Sequence, residues 1–534
     1  MTTRDSHHVG GIATAFLVGL LLLVATGAAF CREQATPGSR FARTQGRWIV
    51  DEQGRVLILH GVNLAASSKV PPFLPWQSKD EVAVLRTWGF NSVRYLIVWE
   101  AVEPQPGQYD DAYLDRVAER LDWCRAAGLK VILDMHQDLY ARKYAGDGAP
   151  EWACLDDGLA HEAPPGAWFW GYLSPAVMRA FDNFWANKPG PGGVGIQDRF
   201  IAMWQHVARR FRDDTNIVGY DILNEPAYGQ AFGGIMAAIG AAAAKELGPE
   251  AAAVISDPNA GAAIGKLVQA VVEKGAVFKV LDEGSPPAQA ADRAKLQPLY
   301  DRVTAAMRAV DANHVIFFDS AYGDMTGTKL VTGLEAPKDA NGRRFTNVVF
   351  APHTYDFSTD FDFPYTGTQA YIQRYLERAQ SAAGRMGAPT WFGEWGTWEG
   401  PGVSGGPAER ELLMRHHVDA FDALLCGWCF WEYGRGFDRL AFLPLLTRPY
   451  AEAVAGVPSR MQTTEDSFEL EFRPQPQGGE TVIWVPLRLK VGIMVQFKGK
   501  GTARSIRDQQ GFVHIICSPG AGPCEATISL SRPQ

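Results

Sequence analysis

Ile217-Val218-Gly219-Tyr220-Asp221-Ile222-Leu223-Asn224-Glu225-Pro226 joins an apolar run to a carboxylate, and Thr390-Trp391-Phe392-Gly393-Glu394-Trp395-Gly396 repeats the pattern. Each run has the composition of a buried strand, so each strand delivers a glutamate at its carboxyl end. Two carboxyls at the strand ends of one barrel are the basic equipment for breaking a glycosidic bond. The alternative is that Glu225 and Glu394 are ordinary surface carboxylates at strand ends.

Strand-like and helix-like segments alternate along most of the chain, which indicates a parallel sheet covered by helices. Eight units of this kind over roughly 400 residues predict an α/β fold, a (β/α)8 TIM barrel enlarged by insertions. We predict its strands at Val56–Asn63, Ser92–Trp99, Val131–His136, Ile217–Leu223, His314–Asp319, Val348–His353, Thr390–Phe392 and Gly427–Tyr433.

The domain organisation follows from changes in composition along the chain. We predict a signal peptide or N-terminal membrane anchor with a spacer at residues 1–40 and a catalytic barrel at residues 41–455. Short alternating strands separated by Gly/Pro turns then predict an all-β sandwich at residues 456–534. Inside the barrel, the Ala- and Gly-rich stretch Gln230–Gly265 predicts a helical excursion or a partly mobile flap.

The overall composition is that of a soluble globular protein, with 46% hydrophobic and 21% charged residues. Lys plus Arg number 51 and Asp plus Glu number 59, which gives a formal net charge of −8. This mild acidity provides no general electrostatic footprint for nucleic acid, and we expect no nucleic-acid partner.

The N-terminus carries a membrane-targeting signal. Arg4 precedes an apolar run from Ile12 to Phe30 that ends in small residues, which is typical of a secretory signal cleaved near Ala29. The run is close to the length that spans a bilayer, so an uncleaved anchor is the alternative. A lipoprotein site at Cys31 is disfavoured because Phe30 precedes it. All three interpretations place the catalytic body outside the cytoplasm.

The remaining cysteines suggest no metal site. Cys517 and Cys524 flank a Pro/Gly turn, which predicts a local disulfide in an oxidising compartment. Cys426 and Cys429 form a CxxC, but no second pair completes a zinc site, so we predict buried strand residues there. We expect the protein to need no metal or other cofactor.

Further side chains at the predicted strand ends suit sugar chemistry. Arg94 is expected to keep an attacking carboxylate ionised, and Asn224 to offer its amide to the sugar hydroxyl beside the reacting carbon. Trp431 offers a flat apolar face to a sugar ring. The additional hydrogen-bond donors are His136, His353 and Tyr355. Singly, each residue fits a surface ion pair, a satisfied buried histidine or plain core; together with Glu225 and Glu394 they occupy six strand ends.

In order, these residues resemble the pattern of glycoside hydrolase family 5, a retaining family: Arg94, His136, Asn224-Glu225-Pro226, His353-Thr354-Tyr355, Gly393-Glu394 and Trp431. Asp134-Met135-His136-Gln137-Asp138 followed by Gly148-Ala149-Pro150-Glu151-Trp152 resembles, more narrowly, the endoglycoceramidase branch. The resemblance implies that Glu225 is the acid/base and Glu394 the nucleophile. It also implies that Asp138 and Lys69 contact the substrate sugar.

By this resemblance the chain is expected to cleave the β-linkage between the glycan and ceramide of glycosphingolipids. Two apolar loops, Pro71–Trp76 and Trp168–Leu173, are expected to line a lipid-accepting groove or contact a membrane surface, or else to pack over the barrel mouth. The alternative activities are a β-glucanase or β-glucosidase acting on polysaccharide or small β-glucosides, and a non-catalytic glycan- or lipid-binding barrel.

Overall fold

The structure is a computed structural model that describes residues 40–162, 168–256, 261–322, 325–398, 406–464 and 467–531. The predicted signal or anchor segment lies outside these residues. Within the described ranges, we find no helix that combines the length and the apolar character needed to span a bilayer.

Eight parallel strands form the barrel, and each pairs with the next in chain order. The eighth strand pairs with the first through Trp428 and His60, and a parallel bridge between Phe350 and Thr390 joins the sixth strand to the seventh. The predicted TIM barrel is confirmed. Its strands are His60–Leu64, Ser92–Val98, Lys130–His136, Ile217–Asp221, Val315–Phe318, Val348–Phe350, Trp391–Phe392 and Gly427–Phe430.

The barrel strands read as continuous apolar runs because both of their faces are covered. Every residue of Ser92–Val98 is buried, as expected for a parallel strand between the barrel interior and the outer helices. The prediction for the first strand was wrong in part: Val56–Leu57 belongs to another sheet, and the barrel strand begins at His60. Both segments are apolar, so their composition does not mark the change of sheet.

Helices cover the outside of the barrel and fill its longer connections. Asp111–Ala127 illustrates their local signals, because the Asp110 side chain accepts the N–H of Tyr113 at its start and Gly128 ends it with φ of 75°. The other helices are Lys79–Thr87, Trp99–Val102, Pro175–Trp185, Ile196–Phe211, Phe232–Leu247, Glu250–Ser256, Gly261–Glu273, Val277–Ala291, Gln297–Arg308, Phe357–Asp360, Gln369–Met386, Pro407–Leu424 and Leu443–Leu446.

The Ala- and Gly-rich insertion after the fourth strand is helical, which agrees with the predicted helical excursion. Its first helix, Phe232–Leu247, packs against Val277–Ala291, and the buried Ile235 fixes its inner face. The insertion begins only a few residues after Glu225. It therefore stands at the end of the barrel where the strands terminate, beside the predicted active site.

The sandwich consists of two antiparallel sheets that share one apolar core. The four-stranded sheet contains Gly456–Thr463, Ser467–Pro474, Glu525–Ser531 and Gly492–Lys498. The seven-stranded sheet contains Arg43–Gln45, Trp48–Val50, Val56–Leu57, Tyr450–Val454, Gly479–Trp484, Phe512–Pro519 and Gly501–Arg507. Strands from before the barrel thus complete the second sheet. Its hydrogen bonding crosses the predicted domain limit at 455, because Tyr450–Val454 pairs with Gly479–Trp484.

Close contacts join the sandwich to the barrel. Arg86 donates two hydrogen bonds, of 2.8 and 3.0 Å, to the carboxylate of Glu452. Gly89 has φ of 91°, and the Trp484 ring occupies the space that a Cβ atom would need there. Glycine at this turn therefore allows the tryptophan of one domain to pack directly on the backbone of the other.

The predicted disulfide between Cys517 and Cys524 was wrong, because both are free and buried thiols. Cys517 packs in the core of the sandwich like an apolar residue, and burial raises its pKa to about 11. Cys429 is a buried residue of the eighth barrel strand, as predicted, and Cys426 is buried immediately before that strand; both thiols are free.

Candidate active site

The two glutamates face each other across a narrow gap at the ends of the fourth and seventh strands. One oxygen of Glu225 and one of Glu394 lie within 4.8 Å of each other and of a His353 ring nitrogen. His353 Nδ1 lies 2.6 Å from Glu225 Oε1 and 3.7 Å from Glu394 Oε2. The two carboxyls and the imidazole therefore form one compact group that can exchange protons.

Local backbone geometry directs Glu225 into this gap. Glu225 has φ of 41°, in the left-handed region that residues other than glycine rarely adopt. Its N–H donates to Asp319 Oδ2 at 3.0 Å, so an aspartate at the end of the fifth strand holds the strained conformation. Strain of this kind persists where the surrounding structure fixes it, and it concentrates at functional sites.

Arg94 orients Glu394 from beneath. Its Nη1 donates to Glu394 Oε1 at 2.8 Å, while the hydroxyl of Tyr355 donates to Oε2 at 3.0 Å. Both oxygens of the carboxylate are thus held. The fully buried guanidinium also donates to Asp134 (2.7 Å), Asn224 (2.8 Å), Asp221 (3.0 Å) and Asn63 (3.2 Å).

The electrostatic balance at Glu394 differs from the prediction. Burial raises the pKa of Glu394 above its ordinary value, and the charges of His353 and Arg94 oppose this effect without cancelling it. Arg94 favours the ionised form, as predicted, but the net shift is upward because the carboxyl is almost completely removed from water. Only 5% of the Glu394 surface is exposed.

Lys69, Asp138 and Trp431 form one side of the gap. The ammonium of Lys69 is hydrogen-bonded to Asp138 and lies over the Trp431 ring, 4.4 Å from its centroid. Burial lowers the pKa of Lys69. The carboxylates of Asp138, Asp147 and Glu394 together raise it by more than burial lowers it, so the net shift is upward. Lys69 is therefore a fixed cation beside an aromatic face, an arrangement that suits sugar hydroxyls and a sugar ring.

His136 stacks parallel to Trp431, with ring centroids 5.4 Å apart, and its Nδ1 lies 2.7 Å from Asp134 Oδ2. Burial and the charge of Lys69 lower the pKa of His136 well below its ordinary value, so the ring is neutral. A neutral ring that donates from Nδ1 to Asp134 leaves Nε2 as an acceptor. Among the described residues this nitrogen has no hydrogen-bond partner, and a substrate hydroxyl would supply one.

The ten predicted site residues fall into two groups. Seven line one cavity of about 570 Å³: Lys69, His136, Asp138, Glu225, Tyr355, Glu394 and Trp431. Arg94, Asn224 and His353 lie behind them, with 1% or less of their surface exposed. The amide of Asn224 accepts from Arg94 and donates to the carbonyl of Gln137, so its first role here is to fix the network. We call the seven lining residues the polar floor.

The rest of the cavity is mainly apolar. Phe169 and Trp170 pack on Phe361 with centroid distances of 5.8 and 6.1 Å. We define the apolar wall as Trp168, Phe169, Trp170, Phe232, Met236 and Phe361, all of which line the cavity. The predicted lipid-accepting loop Trp168–Leu173 therefore lies where expected. The other predicted loop, Pro71–Trp76, does not: it lies outside the cavity lining, and Phe73 packs on the core.

Sequence reasoning did not identify Asp319, Glu432 or the wall residues Phe232 and Met236. Asp319 is the last residue of a predicted strand, so a search for polar residues at strand ends would have found it. Glu432 follows Trp431 and accepts the N–H of Ala66 at the cavity edge. Phe232 and Met236 lie in the insertion, where no sequence signal distinguishes an apolar residue facing a cavity from one facing the core.

Among the residues that the structure describes, two groups of side chains have the geometry to hold a metal ion, Glu225-His353-Glu394 and His136-Asp138-Asp147. In the second group the Lys69 ammonium already pairs with Asp138, and its charge opposes the binding of a cation. The expectation that the protein needs no metal stays a prediction.

A family model described as Cellulase (glycosyl hydrolase family 5) matches residues 50–436. The chain belongs to glycoside hydrolase family 5. The matched segment holds all ten predicted site residues, and membership makes the chain a glycoside hydrolase. The observed barrel is the fold that the predicted resemblance to this family implied.

Within glycoside hydrolase family 5, the chain is similar to endoglycoceramidases, which confirms the predicted branch. It is 26% identical to endoglycoceramidase I of Rhodococcus hoagii over 92% of this chain and 88% of that protein. It also resembles endo-glycoceramidase II from Rhodococcus sp. solved in complex with ganglioside GM3, with a TM-score of 0.70 and 25% identity over 92% of this chain and all of that one. The lactosyl-enzyme intermediate of that enzyme matches with a TM-score of 0.66 and 26% identity over 91% and 100%.

Proposed function

We propose that the chain is a retaining glycosidase that cleaves the β-glycosidic bond between the glycan and ceramide of glycosphingolipids. The observation that carries this proposal is the pairing of the two glutamates with an apolar wall in one cavity. The polar floor suits a sugar and the wall suits a lipid, so the bond between them would lie at the carboxyls.

The spacing of the carboxyls supports a retaining mechanism. Their nearest oxygens lie within 4.8 Å. Retaining enzymes keep the two carboxyls about 5–5.5 Å apart, whereas inverting enzymes need roughly 6.5–9.5 Å to admit a water molecule between carboxylate and sugar. A solved structure of the similar endo-glycoceramidase II is described as a lactosyl-enzyme intermediate, which is the species this mechanism forms.

In the first step, an oxygen of Glu394 forms a bond to the anomeric carbon while the bond from that carbon to the ceramide oxygen breaks. Glu225 transfers its proton to the departing oxygen, so ceramide leaves as a neutral alcohol. In the second step, Glu225 takes a proton from water, whose oxygen attacks the anomeric carbon and displaces Glu394. His353, at 2.6 Å from Glu225, is placed to stabilise both protonation states of that carboxyl.

The side of the cavity next to Glu225 favours a lipid leaving group. The N–H of Tyr322 donates to the carbonyl of Pro226 at 3.0 Å, and Phe232 packs on Tyr322 with ring centroids 4.6 Å apart. The apolar wall thus adjoins the residue that would protonate the departing oxygen. Apolar surface near a leaving group matches a ceramide better than a second sugar, whose hydroxyls would remain unpaired there.

A β-glucanase or β-glucosidase acting on polysaccharide or small β-glucosides is the second candidate, because the matching family model is described as Cellulase. We would offer the enzyme glucosylceramide, galactosylceramide, lactosylceramide, ganglioside GM3 and cellotetraose, the lipids in detergent micelles. Release of intact glycan and ceramide from at least one glycolipid is expected. Hydrolysis of cellotetraose with no ceramide released from any lipid would overturn the proposed substrate class.

The retaining mechanism is tested by trapping. A 2-deoxy-2-fluoro glycosyl fluoride slows the second step, so the sugar should accumulate on Glu394 and be located there by mass spectrometry of peptides. A label on Glu225, or an α-configured sugar as the first product, would contradict the assignment. The E394Q variant provides the unlabelled control.

We propose further that the enzyme works outside the cytoplasm at a membrane surface, secreted or held by its N-terminal segment. Val70 and Trp168, on the loops after the first and third strands, are about half exposed at 53% and 51%. Exposed apolar residues on one end of a protein favour contact with a lipid surface. Co-sedimentation of the full chain and a V70S/W168S variant with phosphatidylcholine vesicles tests the contact, and protease accessibility in intact expressing cells tests the location. Equal sedimentation, or full protection from protease, would count against them.

A further inference from the structure

A charged pair stands in the mainly apolar part of the cavity. Lys329 and Asp360 are hydrogen-bonded to each other, and both line the same cavity as the two catalytic glutamates. Only 2% of the Lys329 side chain is exposed, and its ammonium lies 4.3 Å from the centroid of the Phe357 ring. Two lysines thus line this cavity: Lys69 in the polar floor, and Lys329 among the aromatic residues opposite.

Stabilisation of the fold does not explain why this buried ion pair is present. Desolvating two charges costs about as much as their attraction returns, and replacing a buried ion pair by apolar residues is often neutral or stabilising. The loop that carries Lys329 is already fastened by Arg378, which donates to the backbone carbonyls of Thr328 and Lys329 at 3.1 and 2.9 Å. Both side chains of the pair line the cavity, where the polar groups of a substrate can reach them.

The pair shares one cavity with the reacting carboxyls. Asp360 is followed directly by Phe361, which packs on Phe169 and Trp170 of the apolar wall. The pair therefore borders the leaving-group side of the cavity. Ceramide carries its polar groups in the corresponding place, with an amide and a hydroxyl on the two carbons that follow the glycosidic carbon.

We propose that Lys329 and Asp360 recognise the amide and hydroxyl of the ceramide, and thereby distinguish ceramide from lipids without these groups. Lys329 donates to the amide carbonyl, and Asp360 accepts from the hydroxyl or the amide N–H. The inference rests on the proposed function and names the polar determinant within it. The apolar wall alone would accept any lipid of suitable width, because apolar contact has little directional preference.

The test compares two lipids that carry the same glycan: the glycosphingolipid that the enzyme cleaves best, and a dialkylglycerol ether with two chains but no amide or free hydroxyl. We expect the wild type to prefer the glycosphingolipid. K329M and D360N should each lower kcat/KM for it by about 10–100-fold, the value of a hydrogen bond to a charged group. Both should change kcat/KM for the ether by less than about threefold.

Conservative and matched variants separate recognition from folding. K329R keeps the cation and should retain most of the preference. K295M removes a lysine that pairs with Asp182 at 2.8 Å outside the cavity lining, and it should leave the preference unchanged. Thermal unfolding of every variant is measured, and D360N, which keeps the side-chain volume, replaces K329M if that variant fails to fold.

Two results would overturn the inference while leaving the proposed function intact: equal losses on both lipids, or a wild type that cleaves both lipids equally well. A wild type that releases no ceramide from any glycolipid would instead overturn the proposed function, and the inference with it. The dialkylglycerol ether distinguishes these cases, because its turnover depends on the catalytic groups and the apolar wall but not on an amide or a free hydroxyl.

Discussion

The two halves of the cavity are built on different principles. The polar floor stands on the ends of barrel strands. Arg94 and Tyr355 donate hydrogen bonds to the Glu394 carboxylate, and Asp319 accepts the backbone N–H of Glu225. The apolar wall comes from a loop after the third strand, the helical insertion and the segment after the sixth strand, and it is held by aromatic packing. Removing one hydrogen-bond partner leaves a buried charge unpaired, whereas removing one ring leaves the other rings in place.

This contrast implies a division of work between the halves. Changes in the floor should alter the chemical step for every substrate, because both oxygens of Glu394 and the backbone of Glu225 depend on it. Changes in the wall should alter which leaving group is accepted. The following predictions test the division, beginning with the largest expected effect.

Replacement of Glu394 by glutamine should abolish turnover, with a loss in kcat of about 10⁴-fold or more, because the nucleophile is removed. The amide keeps an oxygen for Arg94, so the unfolding temperature should change little. Initial rates on an aryl β-lactoside and on lactosylceramide, with thermal unfolding in parallel, measure both effects.

The matched control for E394Q is E432Q, a second glutamate that lines the same cavity and accepts the N–H of Ala66. A loss below about 100-fold is expected for it, because one hydrogen-bond contact is weakened while the nucleophile remains. If E432Q were as inactive as E394Q, the assignment of the nucleophile would need to be reconsidered.

Arg94→Met should destabilise the fold as well as the site. It leaves the buried Asp134, Asp221 and Glu394 without their shared cation, at a cost of about 3–5 kcal/mol. Arg210→Met is the control, because its pair with Asp115 is solvent-exposed and should contribute no more than about 1 kcal/mol. Urea denaturation of both variants measures the difference, and similar losses in the two would contradict the central role of the buried cluster.

Lys69→Met should lower kcat/KM by about 10–100-fold, the value of a lost charged hydrogen bond to the sugar. It should also change the pH profile. The charge of Lys69 lowers the pKa of Glu394, so its removal raises that pKa further above the ordinary value. Glu394 attacks only when ionised, and the acidic limb of kcat/KM should therefore move to higher pH. K295M serves as the control. If the acidic limb did not move in K69M, the charge of Lys69 would not influence the ionisation of Glu394.

The polar floor and the residues behind it could be predicted from sequence, because strand ends are recognisable without coordinates. Arg94, His136, Glu225 and Glu394 each terminate or interrupt an apolar run, and the topology of a barrel brings such ends together. The role of Asn224 was less predictable. Its position directly before Glu225 fits a contact with the sugar. Only the structure reveals that the side-chain oxygen already accepts from Arg94 and that the side-chain nitrogen already donates to the Gln137 carbonyl.

The wall residues that the insertion contributes and the sandwich boundary could not be predicted, for a common physical reason. Apolar periodicity reports that a residue is buried but not against which partner. Phe232 faces a cavity while Ile235, one turn along the same helix, faces the core. Val56–Leu57 and His60–Leu64 likewise read as one strand, although they pair in different sheets. Long-range pairing decides both cases, and it leaves no mark on the local sequence.

The smallest effect is expected from the wall. A double variant, F232A/M236A, removes two apolar side chains from the leaving-group side and should raise KM for a glycosphingolipid by about three- to tenfold. The kcat and KM for a water-soluble aryl β-lactoside should stay unchanged, because that substrate makes little use of the wall. Ile239→Ala is the control on the same helix: its side chain packs toward Gly284, so it should lower the unfolding temperature without a substrate-dependent change in KM. If F232A/M236A instead lowered kcat equally for both substrates, the wall would act on the chemistry of the floor, and the division between the two halves of the cavity would be wrong.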